Sequence, residues 1–185
     1  MRRVALLLPL LAALLALPGC GDRNLILTVD LLSFLAPADR TVPYGPIPPG
    51  VTGADVDVAS QEVNLLEGLG NAVDVESASL RIGVRFENQT GIATGSLRIY
   101  IAPGDSADPF GVPPLANLPV TLAPNDTTRV ETEIDSSPAL AAALTQSRAK
   151  IGVRISFDTT GSVAPLQGVE TSEELVAIVV TKRSM

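Results

Sequence analysis

The sequence predicts an all-β protein, an antiparallel β-sandwich with one short crossover helix. Short segments in which apolar and polar residues alternate recur along the chain, and turn-forming residues separate them. The strand-helix-strand rhythm that indicates a parallel sheet does not occur in the sequence. We therefore expect about eight strands in a single domain that covers residues 25–185.

The first strand is predicted over residues 25–32. Leucine and valine alternate there with Thr28 and Asp30, which places apolar side chains on one face and polar ones on the other. This pattern is typical of a strand that is buried on one side.

Residues 36–53 are predicted to form a loop, because they are rich in proline, which cannot donate to a strand ladder, and in glycine. Loops this long are often functional. One interpretation is that the loop covers and blunts a sheet edge. The other is that it docks a partner in an extended conformation, with Tyr44, Pro46 and Pro48 as candidate contact residues.

The strongest strand pattern runs from Ala78 to Glu87, after a weaker pattern at 55–66. Its even-numbered residues are apolar, and its odd-numbered residues are polar or glycine. A turn sequence follows at 88–91, and residues 97–101 alternate again. We therefore expect these two strands to pair as an antiparallel hairpin.

A second loop with prolines and glycines is predicted at 102–114. It contains Phe110, a further candidate contact residue. Strands are predicted at 118–122 and 129–135, on either side of a turn at 123–126.

The one helical pattern is predicted from Pro138 to Gln146. Ser137 can cap it, proline suits the first helical position, and the alanines that follow are the best helix formers. The helix is short enough to be a crossover between strands. Strands at 150–158 and 174–181 complete the domain, and the last is apolar on both faces, as expected of a central strand.

Two predicted strands share the tetrapeptide Ile-Gly-Val-Arg after a basic residue, at 82–85 and 151–154. The shared residues indicate either a duplication within the chain or two strands that pack in the same way without common origin. Both interpretations allow the two strands to be neighbours in one sheet. A glycine inside a strand often marks a bulge or a close backbone approach.

The chain opens with Arg2, Arg3 and an apolar run from Val4 to Leu17. This arrangement is typical of a secretory signal, and the run is too short to span a membrane. The residues at its end, Leu17-Pro18-Gly19-Cys20, resemble the lipobox of bacterial lipoproteins. In that family the leader is cut just before the cysteine, and the cysteine thiol is acylated.

The lipobox resemblance implies a signal peptide at 1–19, a lipidated Cys20 and a short tether at 20–24. The protein is then attached to the cell envelope by lipid. In enteric bacteria an aspartate directly after the lipidated cysteine favours the inner membrane. Gly21 stands there and Asp22 follows, so the resemblance favours the outer membrane.

The composition excludes several function classes. With no histidine in the sequence, serine-histidine catalysis and histidine-bearing zinc sites are ruled out. The net charge of −7 argues against nucleic acid, which requires a basic patch. Because Cys20 is the only cysteine, the domain has no disulfide and depends on packing.

Between about Ala78 and Ile155, the order of strands and turns resembles the immunoglobulin-like sandwich of the type 2 late-embryogenesis-abundant domains. The strand Gly95–Ile101 and the turn Ala123–Asp126 carry this resemblance. It implies an immunoglobulin-like sandwich and nothing about activity, because fold does not determine function.

Three acidic pairs are the only arrangement in the sequence that could hold a hard cation such as calcium: Asp55 with Asp57, Asp105 with Asp108, and Glu131 with Glu133. No segment resembles the twelve-residue calcium loop. Carboxylates on the outer face of a strand usually serve solubility. We therefore expect no metal and no other cofactor.

The leading hypothesis for function is a non-enzymatic, lipid-anchored envelope module. It binds or scaffolds another macromolecule, with a protein as the candidate partner, through a sheet edge or the loops around Tyr44 and Phe110. Long proline-rich loops on a rigid scaffold favour this hypothesis. The alternative is a carrier that holds a small apolar ligand between the sheets. A hydrolase ranks third, because the sequence contains no catalytic motif.

Overall fold

The computed structural model describes residues 23–63, 73–135, 138–144 and 148–183. Cys20 and the leader lie outside these ranges. In the described parts the chain forms nine strands: β1 (Arg23–Asp30), β2 (Thr41–Ile47), β3 (Ala54–Val63), β4 (Val73–Thr90), β5 (Ala93–Pro103), β6 (Ala116–Leu122), β7 (Asp126–Ile134), β8 (Ala149–Asp158) and β9 (Leu166–Arg183). The same described parts contain one α-helix, α1 (Pro138–Leu144), and three short 3-10 helices at Leu31–Phe34, Pro37–Arg40 and Pro109–Gly111.

The strands form two antiparallel sheets. The first, called the long sheet here, has the order β1-β9-β4-β7, and β2 pairs with β9 as well. The second, called the short sheet, has the order β3-β8-β5-β6. One hydrophobic core lies between them, so the predicted antiparallel β-sandwich is confirmed.

The central position of β9 agrees with its apolar sequence. One edge of β9 pairs with β4 over most of its 18 residues. The other edge pairs with β1 near the C-terminal end of β9 and with β2 near its N-terminal end. Because its backbone is paired on both sides, β9 pairs with three of the other four strands of the long sheet.

The core comes from the alternating faces that the sequence predicts. The buried side chains of β4 face those of β5 and β8, and Val84 and Val153 are both buried. Helix α1 packs against β4 and β5 and buries Leu140 completely. It connects β7 in the long sheet to β8 in the short sheet, so the predicted crossover role is confirmed. Its predicted last two residues lie outside the described ranges.

The predicted hairpin is wrong, because β4 and β5 belong to different sheets. Both edges of β4 are already occupied, by β7 and β9. The two-residue connection at Gly91 and Ile92 therefore carries the chain from one sheet to the other. Alternation shows which face of a strand is buried, and it does not identify the strand's partner.

The two strands that share Ile-Gly-Val are likewise not neighbours, since β4 lies in the long sheet and β8 in the short one. Their glycines have different environments. Gly83 sits at a register shift in the pairing of β4 with β9. Gly152 lies against the ring of Phe110, at a distance that leaves no room for a Cβ.

The predicted loop at 36–53 is only partly a loop. Thr41–Ile47 forms β2, and Pro37–Arg40 is a 3-10 helix. Prolines at 43 and 46 are tolerated because β2 is an edge strand that pairs only with β9. This strand accounts for the ninth strand that the sequence does not predict.

Candidate functional site

The long sheet has two ends that carry different structures. The strands β4 and β9 each contain 18 residues, which corresponds to about 55–60 Å at the usual strand rise. At the end called proximal here, Arg183 pairs with Arg23 and with Val73. At the distal end, Thr90 pairs with Gln167. The chain therefore enters β1 at the proximal end.

Four chain connections meet at the distal end, and they constitute the candidate site. We call them the distal loop cluster: residues 48–53, 91–92, 123–125 and 159–165. The backbone N–H of Gly50 donates to the Thr159 carbonyl oxygen over 3.0 Å. The other connections are joined by side chains that are buried beneath them.

Thr159 ties the connection before β3 to the one after β8. Its side chain is fully buried. The Oγ1 atom donates to the Pro48 carbonyl oxygen at 2.7 Å and accepts from the Val51 N–H at 3.0 Å. The Thr159 N–H donates to the Val51 carbonyl oxygen at 2.8 Å. This one threonine therefore fixes both ends of the 48–51 turn.

Asn88 ties the β4–β5 connection to the β6–β7 turn. Its buried amide nitrogen donates to the carbonyl oxygens of Gly91 and Ala123, at 2.9 and 2.7 Å. Its Oδ1 accepts from the Tyr44 hydroxyl at 3.4 Å. The asparagine that the sequence assigns to a simple turn therefore holds two turns and the edge strand together.

Ser162 makes the third connection, between 159–165 and the start of β5. Its buried Oγ accepts from the Ile92 N–H at 3.0 Å and donates to the Ala164 carbonyl oxygen at 2.6 Å. Thr90 adds a bond from its hydroxyl to the Pro165 carbonyl oxygen at 2.8 Å. Because buried polar groups that are fully bonded fix local geometry, the cluster is a rigid platform.

The platform presents apolar side chains to solvent. Val163 is 98% exposed and Ile92 is 44% exposed, and both belong to the distal loop cluster. The prolines at 48, 49, 124 and 165 belong to the same cluster and are also exposed. Apolar side chains on rigid loops at one end of a β-sandwich are typical of a binding surface.

Tyr44 is not a surface contact residue, contrary to the prediction. It is 1% exposed, and its ring lies 5.0 Å from the Phe157 ring and 6.4 Å from the Phe86 ring. Burial raises the pKa of its hydroxyl above the usual tyrosine value. Tyr44 supports the distal loop cluster from below, whereas Pro46 and Pro48 are exposed beside it.

Phe110 lies elsewhere, on the outer face of the short sheet. Its ring packs against Tyr100 with centroids 5.3 Å apart, and the Arg154 guanidinium lies 4.4 Å from its centroid. It covers Gly152, which is seven residues before Thr159, or about 23 Å along the strand. The structure therefore does not bring Phe110 together with Pro46 and Pro48.

The acidic residues that the sequence singles out mostly have protein partners. Asp57 binds Arg154 through two bonds, of 2.6 and 2.7 Å, and this hydrogen bonding raises the pKa of Arg154 above its usual value. Asp55 lies 3.7 Å from the same guanidinium. Asp108 accepts from the Phe110 N–H at 2.8 Å, and Glu133 lies 3.4 Å from Arg81.

The described residues contain neither a candidate metal site nor a membrane-spanning helix. No group of three or more histidine, cysteine, aspartate or glutamate residues in these ranges could hold a metal ion. No helix in the same ranges is long and apolar enough to cross a membrane. A surface pocket of about 320 Å³ is lined by residues 33–37 and Asp39, which belong to the chain connection from β1 to β2.

Comparison with known proteins gives likenesses in structure alone. Neither a family model nor a curated protein matches the chain. Structures of the infectious bursal disease virus Gt strain and of the VP2 subviral particle of that virus match 89% of this chain, with TM-scores of 0.45 and 0.43 and identities of 14% and 13%. Dimeric latent PorU from Porphyromonas gingivalis matches with a TM-score of 0.32 and 10% identity, over 89% of this chain and 14% of its own.

The chain spans 39% and 38% of the length of the two virus chains. The TM-scores and identities are too low for these proteins to indicate a function.

Proposed function

We propose that this protein is a lipid-anchored, non-enzymatic module of the cell envelope, whose distal loop cluster binds a protein partner. The observation that carries the proposal is the pair of exposed apolar side chains, Val163 and Ile92, on a platform fixed by buried hydrogen bonds. Apolar contacts on a rigid support cost little conformational entropy when a partner binds.

The lipobox supports the anchor. Cys20 precedes the first residue of β1 by three positions. The anchor and the distal loop cluster then lie at opposite ends of the long sheet, and the cluster points away from the membrane. The resemblance to bacterial lipoproteins favours the outer membrane as its location.

A protein is the partner class that fits this surface best. The chain is acidic, with a net charge of −7, which disfavours nucleic acid. The exposed valine, isoleucine and prolines instead suit an apolar contact patch surrounded by polar residues, as in protein–protein interfaces. Pro48 belongs to this contact surface, Pro46 is exposed in the adjoining strand β2, and Phe110 lies elsewhere.

The packing of the interior favours the binding module over the carrier. Large side chains fill the described space between the sheets, among them Tyr44, Phe86 and Phe157. The pocket of about 320 Å³ is lined by residues of the connection between β1 and β2, and by none of these aromatic side chains. An apolar ligand between the sheets would have to displace aromatic rings that are already packed against one another.

Site-specific photo-crosslinking in intact cells tests the binding surface. A photoreactive residue at Val163 should yield one defined protein adduct. The same residue at Phe34, which is 41% exposed and lies outside the cluster, is the matched control and should not yield it. Identical adducts from both positions, or none from Val163, would contradict the proposal.

Metabolic labelling with a palmitate analogue tests the anchor independently. The wild-type protein should incorporate the label, and a Cys20→Ser variant should not. Equal labelling of the two proteins would show that the lipid is not attached at Cys20.

A further inference from the structure

We infer that the proximal end of the long sheet docks on the lipid leaflet through a tip formed by Leu25 and Ile26. This inference rests on the proposed anchor at Cys20, and it adds a second, non-covalent contact with the membrane. We call the two side chains the proximal tip.

The proximal tip exposes apolar surface on both faces of one strand. Leu25 is 45% exposed and Ile26 is 66% exposed. Because successive residues of a strand point to opposite faces, the two side chains project on opposite sides of β1. Ile26 pairs with Val180, and Thr28 pairs with Ile178, so half-buried apolar side chains extend the outer surface beside the tip.

The architecture explains why the tip is uncovered. β1 pairs only with β9, so it is an edge strand. The strands of the short sheet have 7 to 11 residues, whereas β9 has 18. The short sheet therefore cannot cover the whole length of the long sheet. Exposed apolar residues at a sheet edge favour association with another surface.

The position of Cys20 indicates that the surface with which the tip associates is the lipid leaflet. The chain can extend by at most about 3.6 Å per residue, so the tip lies within about 20 Å of Cys20 along the backbone. Acyl chains on Cys20 fix this point at the membrane surface. An apolar side chain held there gains by leaving water for the boundary between headgroups and acyl chains.

Because the sequence contains no tryptophan, one introduced tryptophan is a unique fluorescent reporter. The full lipoprotein with Ile26→Trp is purified and reconstituted in phosphatidylcholine vesicles, with or without bromine on the acyl chains. Side chains seated in the interfacial boundary lie roughly 5–10 Å deep, so bromine should reduce the emission about twofold. Leu25→Trp, on the other face, should behave in the same way.

Val163→Trp is the matched control, since Val163 is exposed at the distal end. Its emission should be the same in both kinds of vesicle. Circular dichroism and thermal melting, compared with the wild type, verify that each variant is folded.

Four results would overturn the inference. Protein that floats with the vesicles while neither tip variant is quenched shows that the tip is not in the leaflet, although the anchor stands. If iodide in the water does not quench the introduced tryptophan and bromine on the acyl chains does not quench it either, protein covers the tip, for example a second copy of this chain. Equal quenching at Val163 shows that the whole domain lies flat. Protein that neither floats nor incorporates palmitate instead removes the anchor itself, and the inference with it.

Discussion

Three buried polar side chains, Asn88, Thr159 and Ser162, determine the shape of the distal loop cluster. Each bonds to backbone groups of a different connection, at separations of 35 residues for Asn88 and Ala123, 70 for Ser162 and Ile92, and 108 for Thr159 and Val51. Such partners are invisible to local sequence patterns. The sequence predicts turns at 88–91 and 123–126, but it contains no signal that these turns meet.

Thr159→Val should destabilise the protein although the two side chains have nearly the same shape. The change leaves the Val51 N–H and the Pro48 carbonyl oxygen without their hydroxyl partner, at a cost on the order of 2 kcal/mol. Urea unfolding measures the difference. Thr121→Val, at an exposed strand position, is the control and should change the free energy of unfolding by less than about 0.5 kcal/mol. Equal effects would show that Thr159 does not organise the cluster.

Glu170 is a residue whose burial no sequence pattern predicts. It is 1% exposed in β9; its Oε1 accepts from the Ser172 hydroxyl at 2.9 Å, and its Oε2 has no partner. Burial raises its pKa from 4.5 to about 7, against the opposing effect of the Ser172 bond. Val42 of β2 pairs with Glu170, and Arg40, the last residue of the preceding 3-10 helix, lies two residues before Val42 in the chain.

Stability should therefore fall as the pH rises from about 4.5 to about 7. Over that pH range Glu170 is protonated in the folded state and ionised in the unfolded state. Glu170 therefore makes its full contribution to stability only below its pKa in the unfolded state. The loss is on the order of 3 kcal/mol at neutral pH and above. Glu170→Gln keeps the Ser172 bond and should remove this dependence. If the wild type and Glu170→Gln show the same dependence of unfolding free energy on pH, Glu170 is not the group responsible for that dependence.

At the scale of the elements, alternation predicts strands well and their pairing poorly. The core faces of β4 and β8 are those the sequence predicts, because one buried face imposes a period of two. The partner of β4 is decided by contacts distant in sequence, which make β7 and β9 its neighbours. The prolines of β2 lead to the wrong prediction of a loop there. An edge strand tolerates proline because one side of its backbone is unpaired.

The crossing from β4 to β5 depends on Gly91. Its φ of +76° lies in the left-handed region, and a Cβ there would lie 2.8 Å from the backbone of Leu166 and Pro165. We expect Gly91→Ala to cost about 2–3 kcal/mol, from both strain and overpacking.

Gly161→Ala is the matched control, since nothing lies within 4 Å of its Cβ position. Thermal melting compares the two variants. If Gly91→Ala melts together with Gly161→Ala, the connection tolerates a side chain and glycine is not what directs the chain between the sheets.

At the scale of the molecule, the 18-residue strands β4 and β9 set the distance between two apolar surfaces. The proximal tip lies where the chain leaves the proposed anchor, and the distal loop cluster lies at the other end. The sandwich between them is closed by one core. Under the proposed function, the domain would act as a spacer between the leaflet and a partner.

An aspartate in place of a core valine should unfold the domain, whereas an aspartate in place of an exposed valine should affect only binding. Val153 is 5% exposed and belongs to the core. Val153→Asp buries an unpaired charge and should unfold the domain, at a cost above about 4 kcal/mol. Far-UV circular dichroism measures the loss. A folded Val153→Asp variant would mean that the inner face of β8 has been assigned incorrectly.

Val163→Asp places the same charge where it meets only water. Val163 is 98% exposed, so the melting temperature should equal that of the wild type. If the distal loop cluster binds a protein through this valine, the charge must be desolvated in the complex, and the affinity should fall roughly tenfold or more. The captured partner, once identified by crosslinking, is titrated against both proteins. Unchanged affinity would place the contact elsewhere on the chain, whereas loss of affinity without loss of stability separates the binding role of Val163 from any role in folding.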